Sequence, residues 1–184
     1  MRLFRKILLG AVVLGAYTSY ANESCQGGLV YNDITIGHHI SVSDSKGEVV
    51  YSGPVDSNGN ITSLYDFKRL KNGVYTIEVN KDFEIEIHTF TVKEGIVTFL
   101  SDFKEKIFKP VFRVEEDKVL VSKLALDLDD MTIDLFYENE PIYTEYVKGV
   151  KILNRVYKLD DTLPGQYKVI IKSNNRVYIE KFRI

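Results

Sequence analysis

Three histidines, two clusters of acidic residues, one cysteine and a surplus of tyrosine are the parts of this 184-residue sequence that could do chemistry. His38-His39 together with His88 invites a metal reading, because imidazole is a common ligand for zinc and copper. The spacing argues against it. Neighbouring residues of a strand point to opposite faces, so His38 and His39 do not share one ion, and no third ligand stands at a suitable interval. Asp56-Ser57-Asn58-Gly59-Asn60 resembles the opening of a calcium loop. That pattern needs Gly at its sixth position and Glu at its twelfth, where this chain has Ile61 and Phe67, so a hairpin turn explains the stretch better. Asp127, Asp129 and Asp130 read by default as a solvated turn. No Gly-x-Ser-x-Gly and no nucleophilic cysteine context occurs. A glycosidase-like carboxylate pair is assembled by the fold and leaves no sequence signature. The chain has no Trp, and ten of its 12 Tyr lie past residue 21, most of them claimed by strand patterns, which weakens a sugar-platform reading. The expectation is a protein that is not an enzyme, with no catalytic, cofactor-binding or metal-binding residues and no cofactor.

The elements that would position any site begin after a processing signal. MRLFRK is a basic opening, Ile7–Ala16 an apolar run of ten residues, and Ser19-Tyr20-Ala21 a small–x–small cleavage pattern. The run is shorter than the roughly 20 residues a spanning helix needs, so residues 1–21 read as a cleaved signal peptide. Without them the chain carries 21 Lys/Arg against 26 Asp/Glu, a formal net charge of −5. An acidic chain without a basic run lacks the footprint of a nucleic-acid or anionic-membrane binder. The partner is then an unknown protein or a glycan, with no nucleic acid and no membrane insertion after cleavage. The product is secreted or periplasmic. Cys25, the sole cysteine, cannot form an internal disulfide, so stability must come from burial. Its separation from the apolar run, with Asn22-Glu23-Ser24 before it, does not suit lipidation. It reads as a thiol in an N-terminal arm.

Residues 48–92 align with 140–184 at a constant offset of 92, without a gap. Eight of the 45 pairs are identical, among them Tyr51/Tyr143, Tyr65/Tyr157, Gly73/Gly165, Tyr75/Tyr167 and Phe90/Phe182. Eight more exchange one apolar residue for another, as Val50/Ile142 and Ile77/Val169 do. Matches at strand-like spacing are what a duplicated β-module retains after its surface has drifted. Within each copy the period is two: Ile61, Ser63, Tyr65 and Phe67 share one strand face, as do Leu153, Arg155, Tyr157 and Leu159. Tyr75, Ile77 and Val79 share another. Asn72-Gly73 and Pro164-Gly165 read as turn dipeptides in which glycine takes a positive φ. The tyrosine two residues on points inward and needs a hydroxyl partner at the rim. Arg155 is the main polar residue on an inward face, and it reaches the rim. His88, opposite Glu180 in the repeat, reads as surface.

Further strands are expected over 34–43, 48–52, 96–100, 111–114, 119–126, 132–137 and 142–147. The apolar positions 83, 85, 87, then 90 and 92 change parity, as do 177, 179, then 182 and 184. That predicts a β-bulge there, or a strand crossing between sheets. The fold class expected is all-β: two tandem Ig-like antiparallel β-sandwich modules. The first spans 22–100 and the second 111–184, each of a size that folds without disulfides. A linker, 101–110, holds at most a short helical turn.

The tail LPGQYKVIIKSNNRVYIEKFRI resembles the C-terminal sorting domain of type IX secretion cargo. That resemblance implies an Ig-like sandwich ending in a Gly-x-Tyr strand and a last strand containing a lysine, here Lys181. The chain lacks that family's Pro-Asn-Pro opening and its Gly-Arg, and the first copy repeats Gly-x-Tyr internally. Over its whole length, with FTVKEGIVTF and IFKPVFRV, the chain is similar to small secreted two-module proteins of unknown function. The function expected is therefore an exported non-catalytic structural, adhesion or binding protein. The alternatives are type IX cargo whose last module is the sorting domain, or a carbohydrate-binding protein or small extracellular enzyme. N-terminal sequencing of exported material should begin at Asn22, and a lipid-blocked Cys25 would refute that cleavage site.

Overall fold

The structure, a computed structural model, describes residues 34–59, 64–100 and 105–184. The expected signal peptide, Cys25, Ile61 and Ser63 lie outside the described residues. Among the described residues there are thirteen strands, and every pairing among them is antiparallel. In the first half these are β1 His39–Asp44, β2 Val49–Pro54, β3 Gly73–Asn80, β4 Glu84–Lys93, β5 Ile96–Phe99 and β6 Glu105–Phe108. They form one sheet in the order β2-β1-β3-β4-β5, with β6 also paired to β4. In the second half follow β7 Val111–Glu115, β8 Lys118–Leu124, β9 Met131–Tyr137, β10 Glu140–Val147, β11 Ile152–Lys158, β12 Gln166–Ser173 and β13 Arg176–Arg183. These make a four-stranded sheet, β10-β9-β12-β13, and a three-stranded sheet, β11-β8-β7.

The two-residue period explains why these segments form sheets. Along β12, Tyr167, Val169, Ile171 and Ser173 are buried while the residues between them are not. Val119 and Val121 of β8 and Leu153 of β11 meet Ile133, Leu135, Val169 and Ile171 of the other sheet in one core, which makes the second half a sandwich. The first half has its own core, in which Ile40, Val42, Ile77, Val79, Phe90 and Val92 of the sheet are closed by Ile34, Val55 and Phe67. Two-residue turns with positive φ at both positions, Glu94-Gly95, Glu138-Asn139 and Asn174-Asn175, link adjacent strands with the twist hairpins prefer.

The offset of 92 carries over to strand register. β3 pairs with β4 so that Gly73 faces Val92 and Tyr75 faces Phe90; β12 pairs with β13 so that Tyr167 faces Phe182. Both tyrosine rings stack on those phenylalanines, at centroid distances of 5.5 and 5.8 Å. Both hydroxyls donate to the carbonyl four residues back, Lys71 and Leu163, at 2.9 Å. This is the tyrosine corner of Ig-like sandwiches, present in each half.

Several expectations are corrected. Phe67–Arg69 is a 3-10 turn capped by Asp66, not the continuation of a strand through Tyr65. The β3/β4 and β12/β13 registers run unbroken, so the parity change is neither a bulge nor a sheet crossing. Instead the apolar residues change face. Ile85 and Ile87 lie opposite the face that carries Glu86, His88, Phe90 and Val92. The bulge sits elsewhere, at Val50 of β2 and, 92 residues on, at Ile142 of β10. β6 lies within the expected linker and is a strand paired to Glu84–Ile87, not a helical turn. Gly73 and Gly165 are outside the positive-φ set. Gly165 is required for space, because a Cβ there would stand 2.6 Å from the Tyr137 ring, whereas one at Gly73 would meet Tyr75 at an ordinary 3.4 Å.

Truncating Tyr75 or Tyr167 to Ala should each cost about 3–5 kcal/mol, and Tyr→Phe about 0.5–1.5 kcal/mol for the lost hydrogen bond. Chemical denaturation reads both; a Tyr→Ala variant that unfolds like the parent protein would refute the corner's role.

Candidate functional site

Each half opens into a cleft at the same place. In the second half a cavity of about 420 Å³ is lined by Ile142 and Tyr143 of β10, Val156 and Tyr157 of β11, and Tyr137, Leu163 and Tyr167. In the first half a cavity of about 710 Å³ is lined by Val50, Tyr51, Leu64, Tyr65, Lys71 and Tyr75, among others. Those six positions match Ile142, Tyr143, Val156, Tyr157, Leu163 and Tyr167 at an offset of 92. The bulge explains how two neighbours on one strand can both line a cleft. A regular strand would send Ile142 and Tyr143 to opposite faces, and the extra residue re-aims one of them. Both volumes fall in the range of small-ligand sites.

The rings pair alike. Tyr51 and Tyr65 have centroids 4.7 Å apart, Tyr143 and Tyr157 5.8 Å, both tilted. In the second half the protein itself uses most of the hydroxyls. Tyr157 donates to Glu145 Oε2 at 2.8 Å, Tyr167 to Leu163, and Tyr137 to Pro164. What remains is mainly ring faces and aliphatic groups, with Lys158 and Asp160 also in the lining. The first cleft is more polar, with Asp44, Asp66, Arg69 and Lys71 around it.

The polar residues near the clefts hold the fold. Asp44 Oδ1 accepts from the backbone of Lys46 and Glu48 in the β1–β2 turn, both at 2.9 Å. Asp66 accepts from Lys68 N and pairs with Arg69. Arg155 does reach the rim, where its Nε donates to Glu145 Oε1 at 2.7 Å. That bond joins β10 to β11, the facing edge strands of the two sheets. Burial pushes the Glu145 carboxyl up, but the hydrogen bonds from Arg155 and Tyr157 and the guanidinium charge outweigh it and hold the group below its ordinary value. Burial, reinforced by Glu145, raises the Tyr157 phenol well above its own.

The sequence candidates for metal binding are dispersed. His38 bonds with Thr35, and His39 with Ser52 at 3.4 Å. His88 is buried on the core face of β4 rather than at the surface, and faces Ile77 across β3. Asn58 Oδ1 accepts from Ile36 N, and Gly59 bridges to Ile34, so Asp56–Gly59 ties a loop to the N-terminal segment rather than turning a hairpin. Asp127 and Asp129 accept from Asn174, and Asp129 also from Ser173 Oγ, which anchors the β12–β13 turn. Buried Lys123 donates to Asn174 Oδ1 beside them, so a cation already serves this cluster. Among the described residues no three metal-ligating side chains come together. The paired clefts were missed from sequence. Their signal was there in Val50-Tyr51 and Ile142-Tyr143, adjacent apolar residues that break the two-residue period at equivalent places.

One family matches. The sequence model described as the secretion system C-terminal sorting domain covers residues 27–93. It therefore lies in the first half, and the tail 163–184 corresponds, at an offset of 92, to residues 71–92 within it. A secretion-related domain marks an exported protein. No curated protein matches the chain. Among solved structures, extracellular domains 3–5 of Drosophila OTK are similar at 8% identity and a TM-score of 0.25, over 81% of this chain and 86% of that one. A likeness of that strength has no bearing on function.

Because the Glu145 carboxyl is depressed in the folded state, its stabilisation is complete above the unfolded value near 4.5 and is lost as pH falls through the lower folded value. Glu145→Gln should therefore flatten the acid limb of a pH–stability curve below about pH 4.5 while leaving the Tyr167 corner intact. An unchanged acid limb would refute the clamp.

Proposed function

We propose that this chain is an exported binding component without catalytic activity, and that the two tyrosine-lined clefts are its contact sites. One observation carries the reading: equivalent residues build an open aromatic cleft in both halves, although most of the surface around them has diverged. Tyrosine offers large contact area at low rotamer cost, which suits recognition. The carboxylates nearest the clefts are committed, Asp44, Asp66 and Asp160 to turns and caps and Glu145 to the clamp with Arg155, an arrangement that favours holding over turnover. The protein works outside the cytoplasm, in the periplasm or as a secreted product.

A second reading is type IX secretion cargo, favoured by the match to a sorting domain. Sorting segments are removed on export. Intact mass of the exported chain separates the two, since a binding component keeps Ile184 and a processed cargo loses its tail.

Glycan and peptide arrays probed with the mature protein test the clefts. A true ligand should bind at least about tenfold more weakly to Tyr51→Ala or Tyr143→Ala. Tyr146→Ala, at an exposed position outside both clefts, should leave it unchanged. Binding indifferent to both cleft variants, or hydrolysis of any array member, would overturn the proposal.

A further inference from the structure

Alternation places two polar residues inside the second sandwich. The inward positions of β8 are Val119, Val121 and Lys123, and those of β12 are Tyr167, Val169, Ile171 and Ser173. All are buried, and Lys123 is only 3% exposed. β8 belongs to the three-stranded sheet and β12 to the four-stranded one, so Lys123 reaches across the gap between sheets. It meets the side-chain amide of Asn174, in the turn after β12, where Nζ donates to Oδ1 at 3.1 Å. A third apolar residue would complete the β8 face without taking an ammonium group out of water. The lysine at that position asks for a reason beyond packing.

The groups around the amide are those an acyl transfer needs. Burial lowers the Lys123 ammonium below its ordinary value, against the pull of Asp127 and Asp129, and so favours the neutral amine, which is a nucleophile. Ser173 Oγ stands 3.1 Å from Asn174 Oδ1 and 3.0 Å from Asp129 Oδ2. A hydroxyl carries one hydrogen, and this one can turn from the carboxylate to the amide oxygen as negative charge develops there. On the other side of the amide, Nδ2 donates to Asp127 Oδ2. A carboxyl group touching the leaving nitrogen is placed to hand it a proton. Asp129 also accepts from Asn174 N, which holds the turn against this cluster.

We propose that Lys123 and Asn174 join in an intramolecular amide bond that ties the two sheets of the second half together. The Nζ lone pair attacks Cγ and forms the new Nζ–Cγ bond. Nζ gives up a proton to the Asp127 carboxylate, which passes it to Nδ2. The Cγ–Nδ2 bond then breaks, and the nitrogen leaves as ammonia. One primary amine and one primary amide become one secondary amide and one ammonia, with no change of oxidation state. The linked residues are 51 apart in the chain, so the bond restricts the unfolded state as a disulfide would. The second half has no cysteine with which to make one. In the first half the turn equivalent to Ser173-Asn174 is Lys81-Asp82, which has no side-chain amide, so the bond belongs to the second half alone.

Mass spectrometry of the full exported chain tests this. Its intact mass should fall short of the sequence value by one ammonia. Trypsin should yield a branched peptide in which 119–148, uncut at Lys123, is joined to 173–176. Lys123→Met removes the nucleophile and keeps an apolar stem, and Asn174→Gly removes the amide at a position whose φ is +52°. Both variants should show the full mass of their own sequences and only linear peptides. On a denaturing gel both should migrate as less compact chains than the parent protein. Asp127→Ala should slow the loss of ammonia by roughly a hundredfold. The parent protein's own mass and digest decide the question if a variant does not fold. A full-length mass with cleavage after Lys123 would overturn the proposal and leave the lysine as a cap on the turn. So would an ammonia loss carried on the linear peptide 173–176, since Asn174 would then have cyclised on its own backbone.

Discussion

A hydroxyl bonded to a carbonyl four residues back fixes each half of this protein. The bond is worth only about 1 kcal/mol net, yet its position gives it leverage. Tyr75 and Tyr167 sit at the start of the central strands β3 and β12, each paired on both sides. Holding the arc before the strand against the ring sets which residues of that strand face the core. A slip of one residue would turn Ile77 and Val79, or Val169 and Ile171, out to water. With the phase set, Tyr75 meets Phe90 and Tyr167 meets Phe182, and the next strand is placed in turn. Close approach then dictates composition: Gly165 has no room for a side chain because Tyr137 packs over it.

The clefts follow from the same frame. The corner tyrosine forms part of the lining, and the bulge at Val50 or Ile142 brings two successive side chains toward it. Bulges disrupt a ladder and are tolerated where the strand has one free side. β2 and β10 are edge strands, so the distortion costs no pairing beyond β1 or β9. In the second half the Arg155–Glu145 pair fastens the two sheets together along that margin. In the first half the position of Glu145 is Gly53, where a Cβ would stand 2.9 Å from the Tyr51 hydroxyl. One backbone plan thus yields an apolar cleft in the second half and a more polar one in the first.

Much of the fold was legible because alternation reports directly which side chains face a core. Tyr75-x-Ile77-x-Val79 and Tyr167-x-Val169-x-Ile171 were strands on sight, and the constant offset carried their register with it. Pattern failed where burial and polarity part company. Glu86 and His88 lie on the core face of β4, so two polar residues broke the apolar run there and a change of face looked like a bulge. The true bulge at Val50 and Ile142 was hidden because its extra residue is itself apolar. β6 was missed because Glu105-Lys106-Ile107-Phe108 has too few apolar residues to signal a strand, and pairing with β4 supplies what propensity does not. The clefts leave only the broken period at Val50-Tyr51 and Ile142-Tyr143 as a trace, since tyrosines that line a cavity and tyrosines that fill a core have the same period.

The halves also show where change is cheap. At core positions the pairs remain apolar, as Ile77/Val169 and Val79/Ile171 do, because a buried charge or a lost methylene group is felt at once. On the outer face of the sheet Thr76, Asn80, Thr89 and Thr91 correspond to three lysines and an arginine. Those exchanges leave the backbone untouched, since threonine and long cationic side chains both sit on a pleated surface, but they alter the field above it.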